Sequence, residues 1–177
     1  MVSPSAVLST EERQLREFIA RRGADLDAQA VVYNLSHTSC DVIGAIDSAA
    51  LTPSGLTHAG YVLLMTLWIT GPRETRELAV AQRVTKGAIV GAVHTLSAAG
   101  LVRRVRSEED RRLVSVVLTD KGRSVIERVY ERWHEWEQLI SSELSRDEQL
   151  QFVAFLRRLS ARSRELAASK SSKPRKR

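Results

Sequence analysis

The sequence predicts a mainly α-helical fold with one small β-hairpin. Hydrophobic residues make up 43% and charged residues 27% of the 177-residue chain, which is typical of a soluble globular protein and not of a disordered one. Apolar residues recur at helical spacing over most of the chain, and capping signals mark helix starts, Ser9 with Glu12 and Ser145 with Glu148. Residues 101–118 differ, because two runs compatible with β-strands flank a polar turn there.

Three helices are predicted before residue 71. Ser9 caps the first, which ends at Gly23, and the second covers about residues 25–50. A proline and a glycine within residues 51–55 then break the helical pattern. Thr57 caps a third helix that continues through residue 68. Because nearly every residue in it is apolar, we expect it to be buried.

Two short helices and a hairpin follow. The first helix begins at Thr75, and Thr85 caps the second, which ends near Ala98. Residues 101–106 and 113–118 are the two predicted strands. This order is the plan of a winged helix–turn–helix domain. In that plan the second short helix enters the major groove of duplex DNA, because the groove accommodates a helix and presents a distinct pattern for each base pair.

The second short helix has a core-facing side and an outward side. Ile89, Val93 and Leu96 are spaced by four and three residues, which predicts that they face the core. The glycines on the outward side each cost roughly 1 kcal/mol in a helix, so they serve either close approach to the groove or close packing against another helix. The candidate DNA-binding residues are the cap and the outward residues, namely Thr85, Lys86, Gly87, Val90 and His94, with Gly91 beside them.

Positive charge is concentrated in the hairpin region and the C-terminal tail. Residues 71–112 hold nine basic and five acidic side chains, and residues 170–177 hold five basic and no acidic ones, which favours an anionic partner. Alternation along the strand separates Arg103 from the next two arginines. An arginine at a hairpin tip fits the narrow minor groove, although a charged hairpin can also be merely solvated. The candidate DNA-binding residues of the hairpin are Arg104, Arg106, Asp110, Arg111 and Arg112, with Asp110 expected to pair with and orient an arginine.

Two long helices complete the predicted fold. Thr119 caps one at residues 121–141, and the last occupies residues 145–167. Each has an apolar stripe that no predicted sheet covers. A second copy of the chain is the simplest partner, and packing within one chain accounts for part of each stripe. The stripes consist of Val125, Val129, Trp133, Trp136 and Ile140 on the first helix, and of Phe152, Val153, Phe155, Leu156, Leu159 and Leu166 on the second.

Residues 56–122 resemble the MarR family of winged-helix regulators. Residues 110–122 read DRRLVSVVLTDKG, which matches the family's wing pattern of Asp, any residue, Arg, a β-run and then Leu-Thr shortly before Gly. Four further matches support the resemblance: ELA at residues 77–79, VTKG at residues 84–87, Leu96, and GLV at residues 100–102.

The resemblance implies a triangular dimer whose first and last long helices interlock and whose two winged-helix lobes read a pseudo-palindromic site. It also implies that Arg112 is the wing-tip arginine that enters the minor groove, and that Asp110 orients it. Residues 85–87 match the family's contact positions at the start of the recognition helix. The chain departs from the family at Gly91, where members often have arginine or another polar residue. Contacts from the wing and contacts to phosphates are therefore expected to contribute more to DNA binding than base contacts from the recognition helix.

The predicted organisation has four parts. Residues 1–22 are an N-terminal helical extension that adds to the dimer interface, residues 23–55 and 123–168 form a helical dimerisation region, residues 56–122 form the winged domain, and residues 169–177 form a disordered basic tail.

Family members often bind small aromatic or anionic effectors between the pairing helices and the winged domain. The candidate pocket residues are therefore Tyr33, His37, Cys40, Trp68 and Trp133, for which core packing is the alternative interpretation. No metal site or cofactor is predicted, because His37 and Cys40 supply only two ligands. Cys40 is the single cysteine, so an intrachain disulfide is excluded, and no basic residue lies within a helical turn of it to make it reactive.

The functional prediction is a cytoplasmic, homodimeric regulator, most simply a repressor, that binds double-stranded DNA. The alternatives are an architectural or accessory protein that binds DNA non-specifically, and a winged-helix interaction module without a DNA role. No enzyme is predicted, since the sequence has no nucleophile with a partner base, no glycine-rich phosphate loop and no metal cluster. The longest apolar run, at residues 61–69, is too short to span a membrane, and no signal peptide is predicted.

Overall fold

The computed structural model describes residues 8–106 and 114–171, with side chains through Ser169. Its backbone falls into two compact units, Met1–Asp47 and Ser48–Arg177. The helices are α1 (Thr10–Ala20), α2 (Leu26–Ile46), α3 (His58–Thr70), α4 (Thr75–Gln82), α5 (Lys86–Ala98), α6 (Asp120–Ser141) and α7 (Arg146–Ser171), and the strands are β1 (Arg73–Glu74), β2 (Val102–Arg106) and β3 (Val114–Leu118).

The predicted fold class is confirmed, and hydroxyl caps explain where several of the helices begin. The side chains of Ser9, Thr57, Thr85 and Thr119 each accept a hydrogen bond from a backbone N–H three residues on, at 2.9–3.2 Å. Each bond satisfies one of the N–H groups that a helix leaves unpaired at its start. α7 begins with the predicted capping box, in which the Ser145 N–H donates to the Glu148 carboxylate at 2.8 Å.

Three features differ from the sequence-based expectation. A third strand, β1, pairs with β3, so the hairpin is part of a three-stranded antiparallel sheet in the order β1-β3-β2. The second helix continues beyond Ile46 as a π-helical turn, Asp47–Leu51, followed by a 3₁₀ turn, Thr52–Ser54. α7 extends to Ser171 rather than ending near residue 167, because no helix breaker precedes Pro174. The predicted tail boundary at residue 169 therefore falls inside α7.

The first unit contains α1 and α2, which contact each other. Glu12 of α1 is nearly buried, and its Oε1 accepts a hydrogen bond of 2.9 Å from Nδ2 of Asn34 on α2. Several apolar side chains of this unit remain exposed, including Phe18 at 52% and Val32 at 64%. The hydrogen bond fixes the register of the two helices, while the exposed side chains are available to a partner.

The core of the second unit lies where α3, α5, α6 and the sheet meet. The largest fully buried side chains come from each of these elements, from α4 and from the turn before α3, which shows that this unit encloses its own core. They are Leu51, Leu63, Leu64, Leu78, Ile89, Val93, Val116, Ile126 and Val129. This core sets the orientation of α5 relative to the sheet.

Hydrogen bonds connect the start of α6 to the end of α5. The hydroxyl of Thr119 donates to the carbonyl of Gly100 at 2.7 Å, and Nζ of Lys121 donates to the carbonyl of Ala99 at 2.9 Å. A Cβ at Gly122 would collide with the carbonyl oxygen of Leu101, so only glycine allows this approach. The LTDKG sequence therefore joins the end of α5 to α6.

Candidate nucleic-acid interface

The N-terminus of α5 presents polar groups at an exposed position. Thr85 is the N-cap, and its Oγ1 accepts a hydrogen bond from the N–H of Ala88 at 3.2 Å. The first N–H groups of any α-helix have no acceptor within that helix, and together with the helix dipole they favour an anion. The Lys86 side chain is exposed at the same end. This end of α5 therefore suits a phosphate or an electronegative base edge.

The two sides of α5 are arranged as the apolar spacing predicts. Ile89, Val93 and Leu96 have exposures of 2%, 0% and 3%. The candidate contact residues on the other side are all exposed to solvent, namely Thr85, Lys86, Gly87, Val90, Gly91 and His94. Their contact with DNA itself stays a prediction.

The structure shows how much space surrounds the two glycines of α5. A Cβ built on Gly91 would meet no atom within 4 Å, and one built on Gly87 would meet only its own cap, Thr85 Oγ1, at 3.9 Å. Within the described residues, neither glycine is therefore needed for packing against another helix. That the glycines serve close approach to the groove of DNA stays a prediction.

The paired strands define which arginines share a face. β2 pairs with β3 in a register that sets Arg104 opposite Val116 and Arg106 opposite Val114. Residues opposite each other in an antiparallel pair point to the same face, so the side chains of Arg104 and Arg106 extend to one side of the sheet while Arg103 extends to the other. All three arginines are exposed. The remaining candidates of the wing, Asp110, Arg111 and Arg112, lie outside the described residues.

Comparisons with known proteins support the interpretation of this surface as a nucleic-acid interface. The SarA/Rot family model of transcriptional regulators matches residues 47–129. The HTH-type transcriptional regulator YwaE of Bacillus subtilis is 27% identical over 76% of this chain and 79% of its own length. The structure of BpsR from Bordetella bronchiseptica is 25% identical, with a TM-score of 0.67, and the match covers 73% of this chain and 92% of that one.

The chain is similar to winged-helix transcriptional regulators of the MarR type. The structure of MarR from E. coli has the same fold, with a TM-score of 0.68 at 22% identity, and the match covers 77% of this chain and 99% of that one. The resemblance noted in the sequence is confirmed, whereas the role of α5 as the recognition helix stays a prediction.

Three arginines that the sequence analysis did not single out lie in or beside the helix–turn–helix. Arg73 donates from Nε to Oγ1 of Thr70 at 3.1 Å, and Arg76 forms a 3.1 Å ion pair with Glu74. Arg83, in the turn between α4 and α5, is exposed and has a left-handed backbone. The signal for them in the sequence is positive charge beside the two short helices. The sequence analysis concentrated instead on the arginines of β2 and the hairpin.

The predicted pocket residues of the regulator belong to both units. In the first, the Tyr33 and His37 rings stack at 4.1 Å, and Cys40 is exposed. In the second, Trp68 lies edge-on to Tyr130 at 5.5 Å. Trp133 stacks on Tyr61 at 4.2 Å. The pocket stays a prediction, and the tyrosines at 61 and 130 are aromatic neighbours that the sequence did not single out.

The aromatic cluster of α3 and α6 also contains charge. Nε1 of Trp133 donates to Oε1 of Glu137 at 2.7 Å. Burial raises the pKa of the Tyr61 phenol, and the nearby Glu137 carboxylate raises it further, so this hydroxyl stays protonated in solution. The cluster therefore has a carboxylate and a neutral phenol beside stacked rings.

A separate open groove of about 550 Å³ lies between α3 and α4. Leu78 and Val80 supply apolar lining, and Arg73 and Arg76 lie along it. None of the predicted pocket residues line this groove. Among the described residues, no group of three His, Cys, Asp or Glu side chains is placed to hold a metal ion, and no helix is long and apolar enough to cross a membrane.

Proposed function

We propose that the chain is a homodimeric repressor that works in the cytoplasm, binds a pseudo-palindromic duplex site, and releases it when a small aromatic or anionic effector binds. The observation that carries the DNA-binding part is the exposed side of α5, which combines a cationic N-terminal end with two glycines that no packing in the described chain requires. The strand β2, which contacts α5, has two arginines on one face, and this supports the proposal.

The proposed contacts follow from the chemistry of each group. Lys86 meets a phosphate or a guanine edge, Val90 contacts a thymine methyl group, and His94 lies along the groove. Gly87 and Gly91 let the helix backbone approach the bases. The wing supplies phosphate and minor-groove contacts, through Arg104 and Arg106 on β2 and through Arg111 and Arg112, with Asp110 orienting an arginine.

Exposed apolar surface on α7 supports a homodimer. Phe152, Phe155 and Leu166 are 48%, 54% and 48% exposed, and they lie on one stripe of this 26-residue helix. An apolar stripe of this length is unfavourable in water. A second copy of the chain covers it in the proposed dimer, which also places two recognition helices on one duplex.

The effector part of the proposal is supported by a relative. The DNA binding of BpsR is regulated by 6-hydroxynicotinic acid, a small aromatic acid. We extend that chemistry to this chain, with Tyr33, His37, Cys40, Trp68 and Trp133 as pocket residues. Titration of the protein with 6-hydroxynicotinic acid is expected to change tryptophan emission saturably and to release bound DNA. Unchanged emission and unchanged DNA binding at every concentration would remove this compound as the effector.

Selection from a pool of randomised duplexes tests the DNA-binding proposal. The expected result is enrichment of one sequence with two inverted half-sites, centred about one helical turn apart. Binding without enrichment would favour the architectural alternative, for which the five basic side chains of residues 170–177 are the supporting feature. No binding to any duplex would leave the interaction-module alternative. A variant lacking residues 172–177 is the matched control, because it removes tail charge and leaves the helices in place.

A further inference from the structure

The turn between α4 and the recognition helix has an unusual backbone. Arg83 ends α4 with φ 55° and ψ 38°, which is left-handed. Its N–H donates to the carbonyl of Val80 at 3.2 Å, and the N–H of Val84 donates to the carbonyl of Ala79 at 3.1 Å. This pair of bonds is the Schellman closure of a helix, in which the left-handed residue is most often glycine.

The same closure occurs at two other places in the described part of the chain, and both use glycine. Gly55 has φ 65°, and the N–H groups of Gly55 and Leu56 donate three and five residues back, at 3.1 and 3.2 Å. Gly100 has φ 71°, and the corresponding bonds of Gly100 and Leu101 are 3.0 and 2.9 Å. Of the described residues with positive φ, Arg83 alone is not glycine.

The Schellman closure of α4 therefore does not require arginine at position 83. A side chain in the left-handed region crowds the following carbonyl, whereas glycine adopts this conformation without strain. Arginine at position 83 thus lowers the stability of the fold relative to glycine in the same geometry. A compensating role must come from its guanidinium, since the backbone bonds of the turn are available to either residue.

The guanidinium of Arg83 is placed for a partner outside the chain. Its side chain is exposed, and it makes no hydrogen bond or ion pair with the described part of the protein. Arg73 and Arg76 differ, because Thr70 and Glu74 engage them. Arg83 also lies three residues before Lys86, at the end of α5 that presents free N–H groups.

We propose that Arg83 binds a DNA phosphate beside the point where α5 enters the major groove. The proposal rests on the DNA-binding function proposed above and adds a contact to it. A guanidinium forms short, charge-assisted bonds to phosphate, and in helix–turn–helix proteins the first helix of the motif crosses the DNA backbone. The contact is independent of base sequence, because phosphates carry no sequence information. Arginine at position 83 thus lowers the stability of the fold and raises the affinity for DNA.

Arg83→Gly tests the proposal because it separates stability from affinity. It installs the residue that the chain uses at positions 55 and 100. We expect the thermal midpoint to stay the same or rise, the affinity for specific and random duplexes to fall about tenfold, and the slope of log K against log salt to decrease in magnitude by about 1. Arg83→Lys, which keeps the charge, is expected to retain the wild-type slope.

Arg123→Ala is the matched control. It removes the same charge from an exposed position in the first turn of α6, which is fastened to the opposite end of α5. Its salt slope is expected to equal that of the wild type. Wild-type affinity and slope in Arg83→Gly would overturn the inference while leaving the proposed function intact. A lowered thermal midpoint in Arg83→Gly would overturn the claim that arginine is strained there. Absence of DNA binding by the wild type would overturn both proposals.

Discussion

The winged-helix lobe, residues 51–129, and α7 both contain large apolar side chains, but these are buried in the lobe and exposed on α7. All of the largest fully buried side chains lie between residues 51 and 129, where helices and sheet enclose them. In α7, none of the described side chains is buried, and most of its apolar residues are more than one-third exposed. The lobe therefore encloses its own core, whereas α7 presents an apolar stripe that the described part of the chain leaves uncovered. In the proposed dimer, the lobe reads DNA and α7 supplies the pairing.

The largest expected effect is the loss of stability caused by a substitution in the core of the lobe. Leu64 is fully buried on α3, so Leu64→Ala removes apolar contacts and leaves a cavity. We expect a loss of about 2–5 kcal/mol in the free energy of unfolding, measured by urea denaturation. Leu150→Ala is the control, because Leu150 is 61% exposed. Equal losses for the two variants would contradict the distinction between lobe and helix.

A charge in the apolar stripe of α7 is expected to separate the protomers and leave the lobe folded. Phe155→Glu places a carboxylate on the stripe, which raises the dimer dissociation constant at least tenfold. Light scattering after gel filtration measures the mass, and circular dichroism measures the fold. Arg157→Glu is the control, since residues two positions apart lie on nearly opposite sides of a helix. A monomeric wild type at micromolar concentration would remove the dimer from the account.

Substitutions in the wing test whether the folded lobe binds DNA. Arg112→Ala is expected to weaken DNA binding by about 1–3 kcal/mol without changing the thermal midpoint, although Arg112 itself lies outside the described residues. Arg103→Ala, on the other face of β2 from Arg104 and Arg106, is expected to have a smaller effect. The two affinities can be compared by gel-shift titration at one salt concentration. If the Arg112 variant binds as the wild type does, the wing contributes no essential contact.

The smallest expected effect concerns the start of α7. Hydrogen bonds from the side chain and backbone of Ser145 lower the pKa of Glu148. The ionised carboxylate is favoured in the folded helix, so its contribution is present at neutral pH and is lost as the pH falls through the lowered pKa. Ser145→Ala is expected to shift the Glu148 pKa upward toward its ordinary value in an NMR titration, with Glu143 as an internal reference. An unchanged Glu148 pKa would show that the capping box does not form.

Local signals in the sequence are sufficient to predict most of the fold. Thr85 and Thr119 cap their helices because a hydroxyl at the N-cap satisfies a nearby N–H, and that preference depends on a few adjacent residues. The spacing of Ile89, Val93 and Leu96 likewise specifies the buried side of α5. The fold class and the exposed side of α5 therefore follow from the amino-acid sequence alone.

What the sequence did not reveal depends on contacts between distant segments. β1 has only two residues, and its strand conformation comes from pairing with β3 more than forty residues away. Gly122 is required by the carbonyl of Leu101, which its own neighbours do not indicate. The left-handed backbone of Arg83 follows from the closure of α4, and arginine at such a position carries no turn signal. These features depend on the assembled lobe.

The most direct test of the account is a pair of anisotropy titrations at physiological salt. One uses the duplex enriched by selection and the other a scrambled duplex of the same length and composition. The account predicts at least a thousandfold tighter binding to the selected duplex, with a stoichiometry of two chains per site. Equal affinities for the two duplexes would contradict a sequence-specific regulator.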